Sequence, residues 1–370
     1  MNKLKNLSMS ESIILKAKYS PKSDAIDNSA RFCYKMPELH IKQNKLRSLS
    51  PSEIQVKMMH VGVCGTDIHM LTTSEDGYVK CSCFADIPED GRILGHEGVG
   101  VVQDKGSAIE HIQIGDLVAF ESIGVCNYCR ECRRGHFNQC KHSYLLGITR
   151  EGLFAEIVTV EASLAHIVND FSENLVGLAC LEPAAVSYLA CENGQIKPGE
   201  SVAVIGAGPI GIYAAQLASA NFGASRVYIS EPIELRRKIA KKVCSSVIHP
   251  EQFDELPDFD VLIDAAGDHS FTSATIKKLN NNGRIVLLAR TGHPLNIDLV
   301  DQIISKSLKI IGSRGHLGGA MDAVLSLVRE NKMDLMAPVT GRVLGLDGLM
   351  KILENPEDLI RSQCKVIATL

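Results

Sequence analysis

The sequence predicts an α/β protein in which a β-rich domain precedes a domain built on a doubly wound parallel sheet. At 370 residues, the chain has the length of two or three domains. From residue 13 to about 123, short β-branched runs alternate with turn residues, whereas strands and helices alternate after residue 183. The second pattern is typical of βαβ units, whose parallel sheet is covered by helices on both faces.

Composition and charge exclude several classes of protein. Apolar residues make up 45% and charged residues 22%, which is ordinary for a folded chain and unlike disordered or fibrous proteins. A formal charge of -4 gives no basic surface for nucleic acid or anionic lipid. The start, MNKLKNLSMSESIILK, lacks the apolar core of a secretory signal, so we expect a cytoplasmic protein. The uncharged stretch 201–225 contains several glycines, so we predict a strand, a turn and a helix there rather than a membrane span.

The elements of the first domain are predicted from three runs, IQVKMMHVGV, EGVGVVQ and DLVAF, each of which favours a strand. In the second domain, the strands SVAVI, RVYIS, DVLID, GRIVLL and LKIIG alternate with helical or turn segments. We place the domains at 1–183, 184–318 and 319–370, and the last segment is expected to return to the first domain.

Four of the twelve cysteines lie close together in the sequence. Cys126, Cys129, Cys132 and Cys140 have the spacing C-x2-C-x2-C-x7-C within a polar, turn-rich stretch. Four thiolates on one short loop can complete a tetrahedron around zinc, which leaves no open position and is typical of a structural site. An iron–sulfur cluster is the competing interpretation, although bacterial ferredoxin runs continue with x3-Cys-Pro. We therefore predict a structural zinc that holds this loop in place.

A glycine motif follows the strand VAVI and opens a helix, as in the dinucleotide-binding pattern G-x-G-x-x-G. The glycines permit a tight turn, a close approach of the backbone to a pyrophosphate, and packing of the helix on its strand. Glu231, at the end of the next strand, is placed to accept hydrogen bonds from a ribose and to repel a 2′-phosphate, which favours NAD over NADP. Arg226 and Arg236 are candidates for offsetting that repulsion. The predicted cofactor-binding residues are Gly206, Gly208, Pro209, Ile210, Gly211, Glu231 and Arg236.

A second group of metal-ligating residues lies in the first domain. Cys64 comes directly after a predicted strand, in CGTDIH, and His96 lies in the glycine-flanked turn GHEG. Cysteine and histidine suit zinc, and a catalytic zinc site uses three protein ligands and one open position. The third ligand is either Glu97 or Glu182, the latter in Leu-Glu-Pro. Taken singly, each of these residues has an ordinary structural interpretation, but the combination favours a catalytic site.

The motifs CGTDIH, GHEGVG, the four-cysteine loop, LEP and GAGPIG, in this order, resemble the zinc-dependent medium-chain dehydrogenase/reductase family. That family includes alcohol, sorbitol, butanediol and threonine dehydrogenases. From about Glu53 to the C-terminus, the resemblance implies a GroES-like catalytic domain, a Rossmann cofactor domain, and a homodimer or homotetramer. LEP, where simple alcohol dehydrogenases have cysteine, is similar to the polyol and threonine branch. The first 50 residues and the excursion 70–92, with Cys81 and Cys83, depart from the family pattern, so the substrate stays open.

The residues and the resemblance together predict a NAD-dependent dehydrogenase. Zinc held by Cys64, His96 and one carboxylate acts as a Lewis acid, so a bound alcohol loses its proton near neutral pH and the zinc-bound alkoxide transfers hydride to the nicotinamide. Thr66 and His69 match the positions that the family uses to relay this proton to solvent. We expect a secondary alcohol of a polyol, cyclitol or amino alcohol as substrate. L-Threonine 3-dehydrogenase is the alternative activity, and a non-catalytic, zinc-stabilised NAD-binding protein is the alternative of another class.

Overall fold

The computed structural model describes residues 9–20, 34–80, 85–290, 294–297 and 300–370, so Cys81 and Cys83 lie outside the described part. The chain divides into two compact units. Unit 1 consists of Met1–Cys180, Gly341–Arg361 and Val366–Leu370, and unit 2 consists of Leu181–Thr340 and Ser362–Lys365.

The strands and helices of the described residues follow in chain order. The strands are β1 (Met9–Tyr19), β2 (Tyr34–Lys45), β3 (Glu53–Gly62), β4 (Arg92–Ile93), β5 (Glu97–Lys105), β6 (Leu117–Phe120), β7 (Ile123–Gly124), β8 (Tyr144–Leu145), β9 (Ile157–Glu161), β10 (Ala165–Ile167), β11 (Ser201–Ile205), β12 (Arg226–Ser230), β13 (Ser246–Ile248), β14 (Phe259–Asp264), β15 (Leu279–Leu287), β16 (Lys309–Gly312), β17 (Val339–Leu344) and β18 (Lys365–Thr369). The α-helices are α1 (Gly65–Leu71), α2 (Arg130–Arg133), α3 (Leu175–Leu178), α4 (Leu181–Asn193), α5 (Pro209–Ala220), α6 (Glu234–Ala240), α7 (His269–Thr275), α8 (Val300–Ser305), α9 (Ala320–Arg329), α10 (Gly345–Leu353) and α11 (Pro356–Ser362).

Unit 1 is the β-rich part of the molecule, as predicted. Its largest sheet has the order β10-β6-β5-β3-β18-β17, and β9 pairs with β3 outside that path. The runs IQVKMMHVGV, EGVGVVQ and DLVAF contribute β3, β5 and β6, which are neighbours in this sheet. Apolar side chains of these strands, among them Ile54, Val56 and Phe120, are buried in one continuous core. The burial of this apolar surface is the main favourable contribution to the stability of the unit.

The N-terminal strand β1 lies between β2 and β4 in a separate three-stranded sheet. Ile14 pairs with Ile93 and Leu15 pairs with Arg92 in antiparallel register. The backbone N–H of Ile13 also donates to the carbonyl of Phe154 over 2.8 Å. Strand β1, which belongs to the segment that departs from the family pattern, is therefore integrated into unit 1 and contacts two regions that are far away along the chain.

Unit 2 contains the predicted parallel sheet, which confirms the α/β fold class. The strand order is β13-β12-β11-β14-β15-β16, and every described pairing is parallel. This order is that of the dinucleotide-binding doubly wound fold, in which ligands bind at the carboxyl ends of the strands where the order reverses. That reversal lies between β11 and β14, and the glycine motif directly follows β11.

The end of unit 2 lies later than the return that the sequence predicts near Gly319. Unit 2 continues to Thr340 because α9 packs against α4 within the same unit. The Tyr213 hydroxyl, on α5, donates to the carbonyl of Leu335 over 2.6 Å and fixes the segment that follows α9. Unit 1 begins again at Gly341. At the earlier boundary, unit 2 begins at Leu181 rather than after residue 183.

Within the described residues, none of the helices alone combines the length and the apolar composition needed to cross a bilayer. One sharply bent pair, Asn169–Leu178 with Leu181–Asn193, meets that test only when its two helices are taken together. The uncharged stretch 201–225 forms β11, the glycine turn and α5, in agreement with the prediction of a strand, a turn and a helix.

Candidate active site

The four predicted cysteines of the loop after β7 come together in unit 1. The sulfur atoms of Cys126, Cys129, Cys132 and Cys140 all lie within 4.8 Å of one another. Cys129 caps the N-terminus of α2 and Cys132 lies within that helix, so the short helix sets the distance between these two thiols. Four thiols and no other ligand suit a closed tetrahedral zinc site.

Backbone N–H groups point at the sulfur atoms of this cluster. The N–H of Cys129 donates to the Cys126 sulfur over 3.3 Å, and the N–H of Cys126 donates to the Cys140 sulfur over 3.4 Å. Hydrogen bonds from the backbone N–H groups of Cys132, which has the largest effect, and Lys141 help to lower the pKa of the Cys129 thiol to about 7, because such donors favour the thiolate. Burial instead raises the pKa of Cys132 to about 12. A divalent cation would offset the cost of ionising the whole set.

A second cluster in unit 1 consists of Cys64, His96 and Glu97, whose ligand atoms also lie within 4.8 Å of one another. Cys64 is the N-cap residue of α1 and follows β3, whereas His96 and Glu97 lie at the start of β5. His96 and Glu97 are buried and Cys64 is half-buried. A thiol, an imidazole and a carboxylate in this arrangement suit zinc and leave one coordination position for a further ligand.

Asp67 joins the two loops that carry these residues. One of its carboxylate oxygens accepts from the N–H of Cys64 over 2.9 Å, and the other accepts from the N–H of Gly95 over 3.3 Å. The second oxygen also lies 3.8 Å from Nδ1 of His96. Asp67 is buried, and it therefore holds the cysteine turn and the histidine turn together.

Thr66 and His69 lie one helical turn apart on α1, so their side chains share a face of the helix. The thiol of Cys64 donates to the Thr66 hydroxyl over 3.8 Å. Burial lowers the pKa of His69, and the nearby Lys80 cation lowers it further. His69 is therefore predominantly neutral near pH 7 and able to accept a proton.

The glycine motif has the geometry that a dinucleotide requires. A Cβ at Gly211 would lie 1.9 Å from the carbonyl oxygen of Gly206, so only glycine permits α5 to pack this closely. At Gly208, the N-cap residue of α5, no atom lies within 4 Å of the position of an added Cβ. Pro209 begins the helix, and Ile210 follows it with its side chain half-buried. The N-terminus of α5 therefore has room for an anionic group.

Glu231 follows β12 and is almost fully buried, with 3% of its surface exposed. Its two oxygens accept from the N–H of Ala207 over 2.7 Å and from the N–H of Ile233 over 2.8 Å. The carboxylate thus stabilises the glycine turn through the N–H of Ala207, a role that the sequence did not indicate. A carboxylate has about four acceptor positions, so further acceptance remains chemically open.

Arg226 and Arg236, the two candidates for offsetting the repulsion between Glu231 and a 2′-phosphate, lie in different elements. Arg236 is in α6, and its guanidinium donates to the carbonyl of Gln363 over 3.3 Å. Arg226 begins β12, whereas Glu231 follows the end of that strand. Five residues of extended strand span roughly 16 Å, so Arg226 lies too far from Glu231 for the role that the sequence suggested.

Glu182 belongs to unit 2, where it lies in the first turn of α4. One of its oxygens lies 3.2 Å from Nε2 of His316, which is completely buried. Sequence reasoning missed His316 because it stands alone in a glycine-rich turn, GSRGHLGG, without a second ligand nearby in the chain. Only the fold brings the two residues together.

Two family models match the chain. The alcohol dehydrogenase GroES-like domain matches residues 50–170, and the zinc-binding dehydrogenase domain matches residues 209–330. The first match lies in unit 1 with both metal-ligating clusters, and the second lies in unit 2 and begins within the glycine motif.

Full-length relatives agree with these matches. Scyllo-inosose 3-dehydrogenase of Thermotoga maritima is 31% identical over 363 residues, which cover 89% of this chain and 90% of that protein. L-Threonine 3-dehydrogenase of Caldanaerobacter subterraneus subsp. tengcongensis is 28% identical over 335 residues, which cover 88% of this chain and 93% of the relative. Among solved structures, 2R,3R-butanediol dehydrogenase from Bacillus subtilis shares the fold, with a TM-score of 0.79, 22% identity and coverage of 97% and 100% of the two chains.

Proposed function

Because the chain belongs to the zinc-dependent medium-chain dehydrogenase/reductase family, we propose that it oxidises a secondary alcohol of a polyol, cyclitol or amino alcohol with NAD as the acceptor of hydride. It is a dehydrogenase that acts on a small-molecule alcohol. The observation that carries the proposal is the cluster of Cys64, His96 and Glu97 in unit 1. In this proposal unit 1 is the catalytic domain and unit 2 the cofactor-binding domain.

The donor atoms fit two zinc ions of different kinds. The four-cysteine cluster offers thiols only, which suits a structural ion, whereas the mixed cluster suits a catalytic ion with an open position. Zinc in the mixed cluster supplies Lewis acidity, which lowers the pKa of an alcohol's hydroxyl group. Asp67 keeps the two ligand-bearing turns at a fixed separation and would orient His96 through Nδ1.

We assign the third ligand position to Glu97, and its clustering with Cys64 and His96 supports that choice. Glu182 is the alternative, and its pairing with His316 in unit 2 is the competing interaction. Replacing each carboxylate separately by alanine and measuring the zinc content distinguishes them. The variant that lacks the true ligand should contain about one zinc per chain fewer than the wild type.

Thr66 and His69 move the substrate's proton in this proposal. The Thr66 hydroxyl accepts the proton from the alcohol while it donates its own, and the imidazole of His69 receives that proton and passes it to solvent. The lowered pKa of His69 supports this direction, because a neutral imidazole is the acceptor form. The His69→Asn variant would retain zinc while its turnover becomes slower and less dependent on pH.

The glycine turn and Glu231 hold the dinucleotide in this proposal. The N-terminus of α5 would bind the pyrophosphate above Gly208, and Glu231 would recognise the ribose and disfavour a 2′-phosphate. The bound nicotinamide supplies the acceptor for hydride. Glu231→Ala is expected to weaken NAD binding and to narrow the preference over NADP, and an unchanged ratio of the two affinities would contradict this assignment.

The activity is tested by following NADH absorbance with a panel of polyols, cyclitols and amino alcohols. L-Threonine belongs in the panel, because relatives that are 31% identical over 80% of this chain are L-threonine 3-dehydrogenases. Turnover of a polyol, a cyclitol or an amino alcohol other than threonine in preference to threonine supports the main proposal, and the reverse result supports threonine oxidation. The absence of turnover with one zinc per chain favours a non-catalytic, zinc-stabilised protein.

We also propose that the protein is cytoplasmic and forms a homodimer or homotetramer. The edge strand β16 and the adjacent α8 support association, because Ile310, Val300 and Ile304 are exposed there. An unpaired sheet edge with exposed apolar side chains is a site where another chain can pair. Sedimentation of the purified protein measures the number of subunits.

A further inference from the structure

We infer that Glu151 is a positioning residue for His96, an inference that rests on the proposed function because it takes His96 to be a zinc ligand. Glu151 lies in the segment 149–154, which is part of the connection between β8 and β9 in unit 1. It touches neither metal-ligating cluster in the described contacts, and its carboxylate instead binds the Arg92 side chain and the backbone N–H of Ile93.

The carboxylate of Glu151 holds β4 at two points. One oxygen accepts from the backbone N–H of Ile93 over 2.8 Å, and the other accepts from the guanidinium of Arg92 over 2.7 Å. Arg92 is 5% exposed, and its Nε donates to the carbonyl of Asp86 over 2.9 Å. A buried guanidinium needs charged partners, and Glu151 is the nearer of two, since the Asp86 carboxylate lies 3.6 Å from the same guanidinium. Of the two, Glu151 alone also binds the backbone of β4, through Ile93.

The backbone continues this attachment up to the residue before His96. The N–H groups of Gly152, Leu153 and Phe154 donate to the carbonyls of residues 93, 95 and 94, each over 2.9 Å. A Cβ at Gly152 would lie 2.3 Å from the carbonyl oxygen of Gly95, so the backbones of these two segments are in direct contact. His96 therefore directly follows residues 93–95, whose backbone position is set by the segment that contains Glu151.

Glu151 is half exposed, and an exposed carboxylate ordinarily contributes little to the stability of a fold. Glu151 differs from an ordinary surface carboxylate in its position, because it accepts from the backbone N–H of Ile93, three residues before His96. Small displacements of a ligand weaken a metal site well before they unfold a domain. The loss of Glu151 should therefore lower zinc retention more than it lowers stability.

The test compares Glu151→Ala and Glu151→Gln with Asp116→Ala in the full-length, zinc-loaded protein. Asp116 is a matched control, because its carboxylate also accepts from one backbone N–H, of Gln113 over 2.7 Å, and from one side chain, of Asn169 over 2.9 Å. Asp116 lies in the turn before β6, and its own carbonyl accepts from Val102 near the far end of β5. The measurements are the rate of zinc release to a chelator, the absorption spectrum after exchange for Co²⁺, kcat and KM, and the midpoint of thermal unfolding.

We expect Glu151→Ala to release one of its two zinc ions at least about tenfold faster than the wild type, with a lower kcat, a nearly unchanged KM and an altered Co²⁺ spectrum. Excess Zn²⁺ should restore kcat, which a general loss of structure would not allow. Glu151→Gln should show a smaller change, because the amide oxygen can still accept from Ile93. This variant carries the test if the alanine variant does not fold.

Equal release rates in Glu151→Ala and Asp116→Ala, with two zinc ions and turnover in the wild type, would overturn this inference and leave the proposed function intact. A wild-type protein that holds fewer than two zinc ions or has no turnover would overturn both. A thermal shift in Glu151→Ala that exceeds that of Asp116→Ala, without faster release, would assign Glu151 to stability alone and also overturn the inference.

Discussion

At the scale of a single residue, Cys64 is informative to replace because both its backbone and its thiol have defined partners. Its N–H is bound by Asp67, and its thiol points to Thr66. Cys64→Ser changes one atom and keeps the N-cap geometry of α1. We expect turnover to fall by at least about a thousandfold, or ~4 kcal/mol of transition-state stabilisation, because the catalytic zinc loses its thiolate.

The controls for Cys64→Ser are NAD binding, followed by quenching of NADH fluorescence, and the thermal midpoint. Both should stay close to the wild-type values, because the glycine turn lies in unit 2 and the core of unit 1 is untouched. A variant with unaltered turnover would contradict the role of Cys64 as a ligand.

Arg47 and Glu53 predict a dependence of stability on pH that is separate from catalysis. The Arg47 guanidinium donates to a Glu53 oxygen over 2.7 Å and lowers the pKa of Glu53 from 4.5 to about 2. A carboxylate whose pKa is lowered by folding stabilises the fold above its unfolded pKa, and this contribution is lost as pH falls from about 5 toward 2.

Arg47→Ala should therefore lower the free energy of unfolding by about 1 kcal/mol at pH 7, a modest value because the guanidinium is more than half exposed. The difference between variant and wild type should shrink at pH 4. Urea titrations of both proteins at the two pH values measure it. A difference that is the same at both pH values would mean that Arg47 acts through packing rather than through the charge of Glu53.

At the scale of elements, the four-cysteine loop has few apolar contacts of its own and depends on its metal. Only Cys132 and Cys140 are buried among its cysteines, while Tyr128 is 61% exposed. Cys129→Ser removes one thiolate, while the serine hydroxyl can still accept at the N-cap of α2. We expect a lower thermal midpoint, by at least about 5 °C, with NAD binding retained.

Calorimetry measures the thermal midpoint of Cys129→Ser, and Cys244→Ser is a suitable comparison because Cys244 is a buried thiol of unit 2 outside both clusters. A Cys129→Ser protein as stable as the wild type would show that the loop does not need a fourth ligand.

Sequence reasoning succeeded where an element is defined by local spacing. The cysteine spacing and the glycine motif each lie within one short segment, so the chemistry of the cluster and of the turn could be inferred without the fold. The pairing of β1 with β4 could not, because it joins Ile14 to Ile93 across a long stretch of intervening chain. The contact between Glu182 and His316 escaped for the same reason.

At the scale of the whole molecule, the sequence predicted two domains and a late return of the chain, and the exact place of return depended on packing. The sequence predicts that residues 319–370 return to the first domain, yet α9 packs on α4 in unit 2 and the Tyr213 hydroxyl donates to the carbonyl of Leu335. Helix packing of this kind depends on which faces meet, and periodicity alone does not specify the partner.

The two metal-ligating clusters predict that zinc removal proceeds in two stages. The mixed cluster has three protein ligands and a vacant position through which a chelator can bind, whereas the four-cysteine cluster is closed and its loop must open first. During dialysis against a chelator, turnover should therefore vanish with the first zinc while the thermal midpoint is unchanged, and the midpoint should fall only with the second. The two cysteine variants assign the stages, since Cys64→Ser should lack the first and Cys129→Ser the second. Simultaneous loss of both ions, together with unfolding, would mean that the two clusters do not differ in the way that their ligands imply.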